Sequence, residues 1–210
     1  MQQCKIIGIG HPRTGTGFTA KLLSILGLDV GHETVGKDGI VAWQLIKQQG
    51  PYPYIKNLSE RPAYSYLIYN IRNPFNSLPS IVYTEDTKMP SFEYRQQECN
   101  IPLDKKNPID NAIISLTYFD RLIKEMNPSL VFRIEDQSHK LVRFFEKQDL
   151  EINHNSIIKK KVNRRKHPDF EQMINDFGDI SNECKDMLQN YCMNYGYMKD
   201  YNLLVEKNNE

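Results

Sequence analysis

The sequence lacks a surplus of either charge: 27 Lys and Arg stand against 26 Asp and Glu, for a net charge of +1. So small a net charge supplies no global field to hold nucleic acid or an anionic membrane, and any affinity for anions must come from local clusters. Cysteine is scarce too. Cys4, Cys99, Cys184 and Cys192 form no CxxC pair and have no His at zinc-ligand spacing. That pattern argues against a metal knuckle and a disulfide scaffold, and fits reduced thiols in a cytoplasmic protein. No stretch approaches the roughly 18 consecutive apolar residues of a membrane span. Met1 leads to Lys5-Ile6-Ile7-Gly8-Ile9-Gly10 without a signal-peptide pattern, and no internal repeat or low-complexity linker interrupts the chain.

What remains is a globular composition, 40% hydrophobic and 25% charged over 210 residues. The length suggests one domain over 1–210, or at most a domain with a small cap, able to bury roughly 70% of the surface of the unfolded chain. Residues 4–10 are a β-branched run ending in glycine. A loop follows, then Phe18, Leu22, Leu23, Ile25 and Leu26 at helical spacing, closed by Gly27. Leu28-Asp29-Val30 reads as a short second strand, 39–49 as a helix, and Tyr66 to Ile71 as a buried strand ending at Arg72. Asn73-Pro74 has the form of a helix cap followed by proline at the first helical position. Residues 107–126 carry an amphipathic helical pattern, Leu130 to Ile134 a strand, and Ser138 to Phe145 a helix. Asn182 to Tyr195 is the last helix, ended by Gly196. The segment 85–106, with scattered charges and little periodicity, reads as a surface loop or lid. Strands alternating with helices predict an α/β fold, a parallel β-sheet flanked by helices.

In such a sheet ligands gather at the carboxyl ends of the strands, and the loop after the first strand is the usual anion cradle. Here it is Gly10-His11-Pro12-Arg13-Thr14-Gly15-Thr16-Gly17. Glycines let backbone N–H groups converge on a phosphate while the helix N-terminus adds partial positive charge. The spacing departs from a Walker A loop, because Thr16 stands where the lysine belongs and the nearest cation is Arg13.

With Phe18 and Thr19, this loop resembles that of the sulfotransferases that use 3′-phosphoadenosine 5′-phosphosulfate (PAPS). The family's second signature, an Arg at the end of a later strand and a Ser eight residues on, is matched by Arg72 and Ser80. Val131-Phe132-Arg133-Ile134-Glu135-Asp136 and the Tyr-Gly-Tyr after Tyr191 extend the resemblance over nearly the whole chain. The resemblance implies a P-loop-like sulfotransferase architecture. It further implies PAPS as cofactor, leaving 3′-phosphoadenosine 5′-phosphate (PAP) as product, and a small-molecule or carbohydrate acceptor. It assigns Arg13, Thr14, Gly15, Thr16, Gly17, Phe18 and Thr19 to the cofactor's 5′ end, and Arg72 with Ser80 to its 3′-phosphate. Pro79 is a misfit, since it removes a hydrogen bond inside the helix that carries Ser80.

Sulfuryl transfer needs in-line geometry and stabilisation of spreading negative charge, and cationic side chains with backbone amides supply both without a resident metal. The acceptor must also lose a proton. Gly31-His32-Glu33 follows the second strand; by the resemblance Glu33 is the base, with His32 its competitor, and Arg13 sits beside the reacting group. Glu33 has a structural alternative as a partner of Arg13 or a neighbour of a helix cap. The basic stretch Lys159 to Lys166 lacks the interleaved aromatics of a nucleic-acid patch. It reads either as a solvated face or, by the resemblance, as a late loop whose Asn163, Arg164 and Arg165 close on the 3′-phosphate. Trp43, Gln44 and Phe18 line a pocket or belong to the core. Two rival functions are a P-loop nucleotide or nucleoside kinase, in which Glu135-Asp136 would hold magnesium, and a catalytically silent nucleotide-binding protein of the same fold.

Overall fold

A computed structural model describes residues 3–104, 106–148, 150, 152–153 and 166–207. The chain divides into two compact units: residues 1–72 with 119–165, and 73–118 with 166–210.

The first unit is built on a five-stranded, all-parallel sheet of order β2-β3-β1-β4-β5. The strands are β1 (Gln3–Ile9), β2 (Val30–His32), β3 (Gly39–Val41), β4 (Ala63–Ile71) and β5 (Leu130–Arg133). Helix α1 (Thr16–Ile25) follows β1, and a later helix (Ser138–Glu146, α5 in chain order) follows β5. Because strand side chains alternate, Ile6, Val41, Ile68 and Phe132 face one side. There they form a buried cluster with Ala20, Leu22 and Leu23 of α1 and Leu141 and Phe145 of α5. Phe132 and Phe145 are fully buried, so truncating either to Ala would cost about 3–5 kcal/mol. The opposite set includes Tyr69, whose hydroxyl donates to Asp120 Oδ1 at 2.8 Å.

Strands β2 and β3 are parallel neighbours joined by only residues 33–38, a return short enough because each strand has three residues. The turn leaves no room for side chains at its glycines. A Cβ on Gly31 would lie 2.1 Å from the Thr34 carbonyl oxygen, and one on Gly36 would lie 2.3 Å from that of Asp29. The predicted helix over 39–49 is corrected. Gly39–Val41 is a strand and Trp43–Ile46 a single 3-10 turn. Buried on both faces, this run shows no alternation to separate strand from helix.

The second unit is helical. Its helices are α2 (Pro74–Thr84), α3 (Met89–Glu93), the first part of α4 (Pro108–Glu125), α6 (Phe170–Phe177), α7 (Asn182–Tyr195) and α8 (Met198–Lys207). Asn73 caps α2, its Oδ1 accepting from the Phe75 N–H at 3.0 Å. The helix continues through Pro79 to Thr84. Gly196, at φ 76°, ends α7 in the left-handed conformation that lets orphan carbonyls be satisfied. The core joins Leu78, Ile81 and Val82 of α2 to Ile109, Ile113 and Leu116 of α4 and to Met173, Leu188 and Tyr191.

Two further expectations are corrected in this unit. Asn182–Tyr195 is not the last helix, since α8 begins at Met198. The segment 85–106 is not a surface lid: Phe92, Tyr94, Ile101 and Leu103 are buried, and so is Arg95, on a π-helical turn (Tyr94–Glu98). The Arg95 guanidinium donates to Asp86 Oδ1 at 2.5 Å, to Ser115 Oγ at 2.8 Å and to the Ser91 carbonyl at 3.2 Å. Paired in this way, charges can be buried in a segment that composition alone marks as exposed.

Candidate functional site

Strand β1 delivers the chain at Gly10 into the loop that starts α1. The Thr14 N–H and hydroxyl both donate to the His11 carbonyl, at 3.0 and 2.7 Å. Arg13 takes a left-handed backbone, φ 75°. Gly15, at φ 103°, is the N-cap of α1 and gives it no side-chain hydrogen bond; the first turn has no acidic residue. The leading amides of α1 thus receive no cap from the Gly15 position, and the helix dipole adds partial positive charge there. Gly10 is required by contact with backbone, and Gly15 by its positive φ. A Cβ on Gly10 would lie 2.5 Å from Asn70 Nδ2 and 2.7 Å from the Asn70 carbonyl oxygen, and one on Gly15 would lie 2.6 Å from Ile134 Cδ1.

Strand β4 holds the loop from behind. Asn70 and Arg72 stand two apart, hence on one face. Asn70 Nδ2 donates to the Thr14 carbonyl at 3.0 Å and to Thr14 Oγ1 at 3.2 Å. Arg72 Nη1 donates to the Arg13 carbonyl at 3.0 Å. The structure thus brings Arg72 to the loop, as its place at the end of the strand suggests. Asn70 was missed by sequence reasoning. Its signal is a fully polar amide inside the apolar run Leu67-Ile68-Tyr69-Asn70-Ile71, in step with Arg72.

Strand β2 approaches from the other side. Thr16 Oγ1 lies 3.1 Å from His32 Nε2, which ties the end of β2 to the first turn of α1. Desolvation pulls the His32 imidazole below its ordinary pKa of 6.5, while the neighbouring Glu33 charge works in the other direction. The residue as a whole is exposed. Glu33 has φ 55°. Its N–H donates to the Val41 carbonyl at 3.1 Å, and its Oε1 accepts from Gln44 Nε2 at 3.4 Å.

The remaining residues singled out in the sequence are placed as follows. Phe18 packs, half-buried, against the core between α1 and α5, and the buried Thr19 hydroxyl donates back to the Gly15 carbonyl at 3.1 Å. Gly17 lies in the first turn of α1. Trp43 is buried against Tyr54 and Phe119, and Phe119 meets the His11 ring edge-on at 5.0 Å. Ser80 is a buried residue of α2 in the second unit. Asn163, Arg164 and Arg165 lie outside the described residues. Asp136 Oδ1 accepts from Arg133 Nε at 2.9 Å. Among the described residues, no group of three or more His, Cys, Asp or Glu is gathered to hold a metal ion, and no helix is long and apolar enough to cross a membrane.

The arrangement can bind an anion at the carboxyl ends of β1 and β4, with proton-accepting groups at the end of β2. No family model, curated protein or solved structure matches the chain.

Proposed function

We propose that the chain is a PAPS-dependent sulfotransferase of P-loop-like architecture, acting in the cytoplasm on a hydroxyl or amine of a small-molecule or carbohydrate acceptor. The observation that carries this reading is the clamp of Arg72 on the Arg13 carbonyl, 3.0 Å long. It joins the strand-end arginine of the resemblance to the glycine loop in one site.

The residues present fit such a cofactor. The uncapped first turn of α1 suits an anionic 5′ end, Gly10 has no space for a side chain, and Gly15 has a φ that side chains disfavour. When bound, PAPS would supply an activated sulfuryl group. The amides of Gly15, Thr16 and Gly17 and the Arg13 side chain would hold that end. Arg72, a planar and permanently charged guanidinium at the end of β4, would hold the 3′-phosphate. The same phosphate is the role proposed for Ser80 and for Asn163, Arg164 and Arg165, each to be tested by its own substitution. Glu33, held by Gln44, would accept the proton from the acceptor, with His32 as the rival base, its lowered pKa keeping the ring neutral near pH 7. Thr16 at the place of the Walker lysine disfavours the kinase reading.

Thermal shift decides between these readings, because a ligand that binds only the native state raises apparent stability, by about 2.7 kcal/mol at 100 times Kd. PAP in the presence of EDTA should raise the melting temperature, and ATP with magnesium should do so weakly or not at all. Loss of the PAP effect in EDTA, or tighter binding of ATP with magnesium, would overturn the assignment.

A further inference from the structure

We infer that Asn70 sets the anion affinity of the β1–α1 loop by fixing the direction of the Thr14–Gly15 peptide. The inference rests on reading that loop as an anion site.

Two successive peptides of the loop are fastened to β4, and they are fastened differently. In the Arg13–Thr14 peptide the carbonyl accepts from Arg72 Nη1 and the N–H donates to the His11 carbonyl. Both of its polar groups are spent within the protein. In the Thr14–Gly15 peptide the carbonyl accepts from Asn70 Nδ2 at 3.0 Å. A trans peptide is planar, with N–H and C=O pointing in opposite directions. Holding the Thr14 carbonyl toward β4 therefore turns the Gly15 N–H away from β4, to the side on which the uncapped turn of α1 begins. Gly15 reaches this geometry at φ 103°, a region that glycine occupies without strain.

The state of Asn70 itself points to the same role. It is fully buried, its amide is aimed into the loop, and its Oδ1 has no hydrogen-bond partner among the described residues. A buried acceptor left unsatisfied weakens the fold. The site therefore tolerates an unfavourable oxygen in order to present a donor. A leucine of similar size would remove that oxygen and lose the donor with it. Asn70 is accordingly a positioning residue that acts on the anion through Gly15.

The test measures PAP and inorganic phosphate affinity by calorimetry for the wild-type chain, Asn70→Leu and Asn70→Asp. It also follows the Gly15 backbone amide of the wild-type chain by NMR as each anion is added. Removal of one oriented N–H from a charged ligand should weaken binding at least about tenfold, with little change in melting temperature for Asn70→Leu. Asn70→Asp keeps the shape but has no donor, so it should not restore affinity. The Gly15 amide should be among the resonances that move. If the wild type binds PAP while both variants bind it as tightly, or if the Gly15 amide stays still, the inference is overturned and the cofactor reading stands. If inorganic phosphate binds and obeys the pattern but PAP does not bind, the cofactor reading falls and the role of Asn70 stands. If neither anion binds, both fall. Should a variant fail to fold, the Gly15 amide of the wild type still decides.

Discussion

Arg72→Ala should weaken PAP far more than adenosine 5′-phosphosulfate, and the structure sets both magnitudes. On the proposed reading Arg72 has two roles that the substitution removes together. Its Nη1 clamps the Arg13 carbonyl at 3.0 Å, so its loss loosens the loop for any ligand held there. The net worth of one such hydrogen bond is about 1 kcal/mol, or roughly fivefold in affinity. This loss falls on both ligands. The second role, a charge-assisted hydrogen bond to the 3′-phosphate, is worth about 1.5–3 kcal/mol and falls on PAP alone. The PAP affinity should therefore drop by the sum, about 2.5–4 kcal/mol or roughly 60- to 700-fold. Arg72→Lys keeps the charge without the planar fork and should fall between the wild type and the alanine variant. Isothermal titration of both ligands against the three proteins measures this. Equal losses for the two ligands would reduce Arg72 to a clamp on the loop, and no loss for either would remove it from the site.

Glu33→Gln should lower kcat by about 10²–10⁴-fold once an acceptor is found, the worth of a general base, while calorimetry shows PAP affinity nearly unchanged. A parallel loss of PAP affinity would make Glu33 a support of the loop, and full turnover would move the search to His32. The His32 ring should titrate below 6.5 by NMR. Since the folded chain then binds this proton less readily than the unfolded one, His32 should contribute stability that is present above pH 6.5 and lost as pH falls through the folded value; a titration at or above 6.5 would refute the desolvation of its ring. In urea unfolding Arg95→Met should cost about 3–5 kcal/mol, because it leaves the largely buried Asp86 carboxylate without its partner. Adding Asp86→Asn should recover part of that loss, and a merely additive double variant would mean the pair is not coupled.

The parts of the fold that could be read in the sequence are those where one signal stands alone. β1 and β4 are β-branched or aromatic runs, α4 has a clean apolar stripe, and α7 ends at a glycine whose left-handed backbone the structure bears out. Reading failed where two signals compete. Ile40 to Ile46 is apolar at nearly every position, so periodicity did not separate strand from helix, and what fixes the strand lies at Gly39. A Cβ there would lie 1.9 Å from the Ile6 carbonyl oxygen, a constraint that exists only once β1 is beside it. Segment 85–106 misled because the charge of Arg95 is hidden by Asp86, a partner that spacing alone did not reveal. α6 and α8 are short and lie beside a stretch read for its charge and a glycine read as a stop. In the candidate site the loop was legible from glycine spacing, while Arg72 was singled out through the family resemblance. Asn70 was not, because its importance lies in where its amide points.

The short return between β2 and β3 bears on the order in which the sheet assembles. Val30 pairs with Gly39, while Cys4 pairs with Tyr64 and Ile68 with Leu130. Closing the longer β1–β4 connection costs roughly 1.7 kcal/mol more chain entropy than closing the β2–β3 turn, on logarithmic scaling with loop length. The edge that carries His32 and Glu33 is thus kinetically local, and the β1–β4 seam, on which Gly10, Asn70 and Arg72 meet, is kinetically remote. An anion held at that seam would mark one of the two long-range pairings of the sheet, β1–β4 and β4–β5. In a refolding experiment, recovery of anion binding would then trail the recovery of helical signal, and the lag would time the long closure.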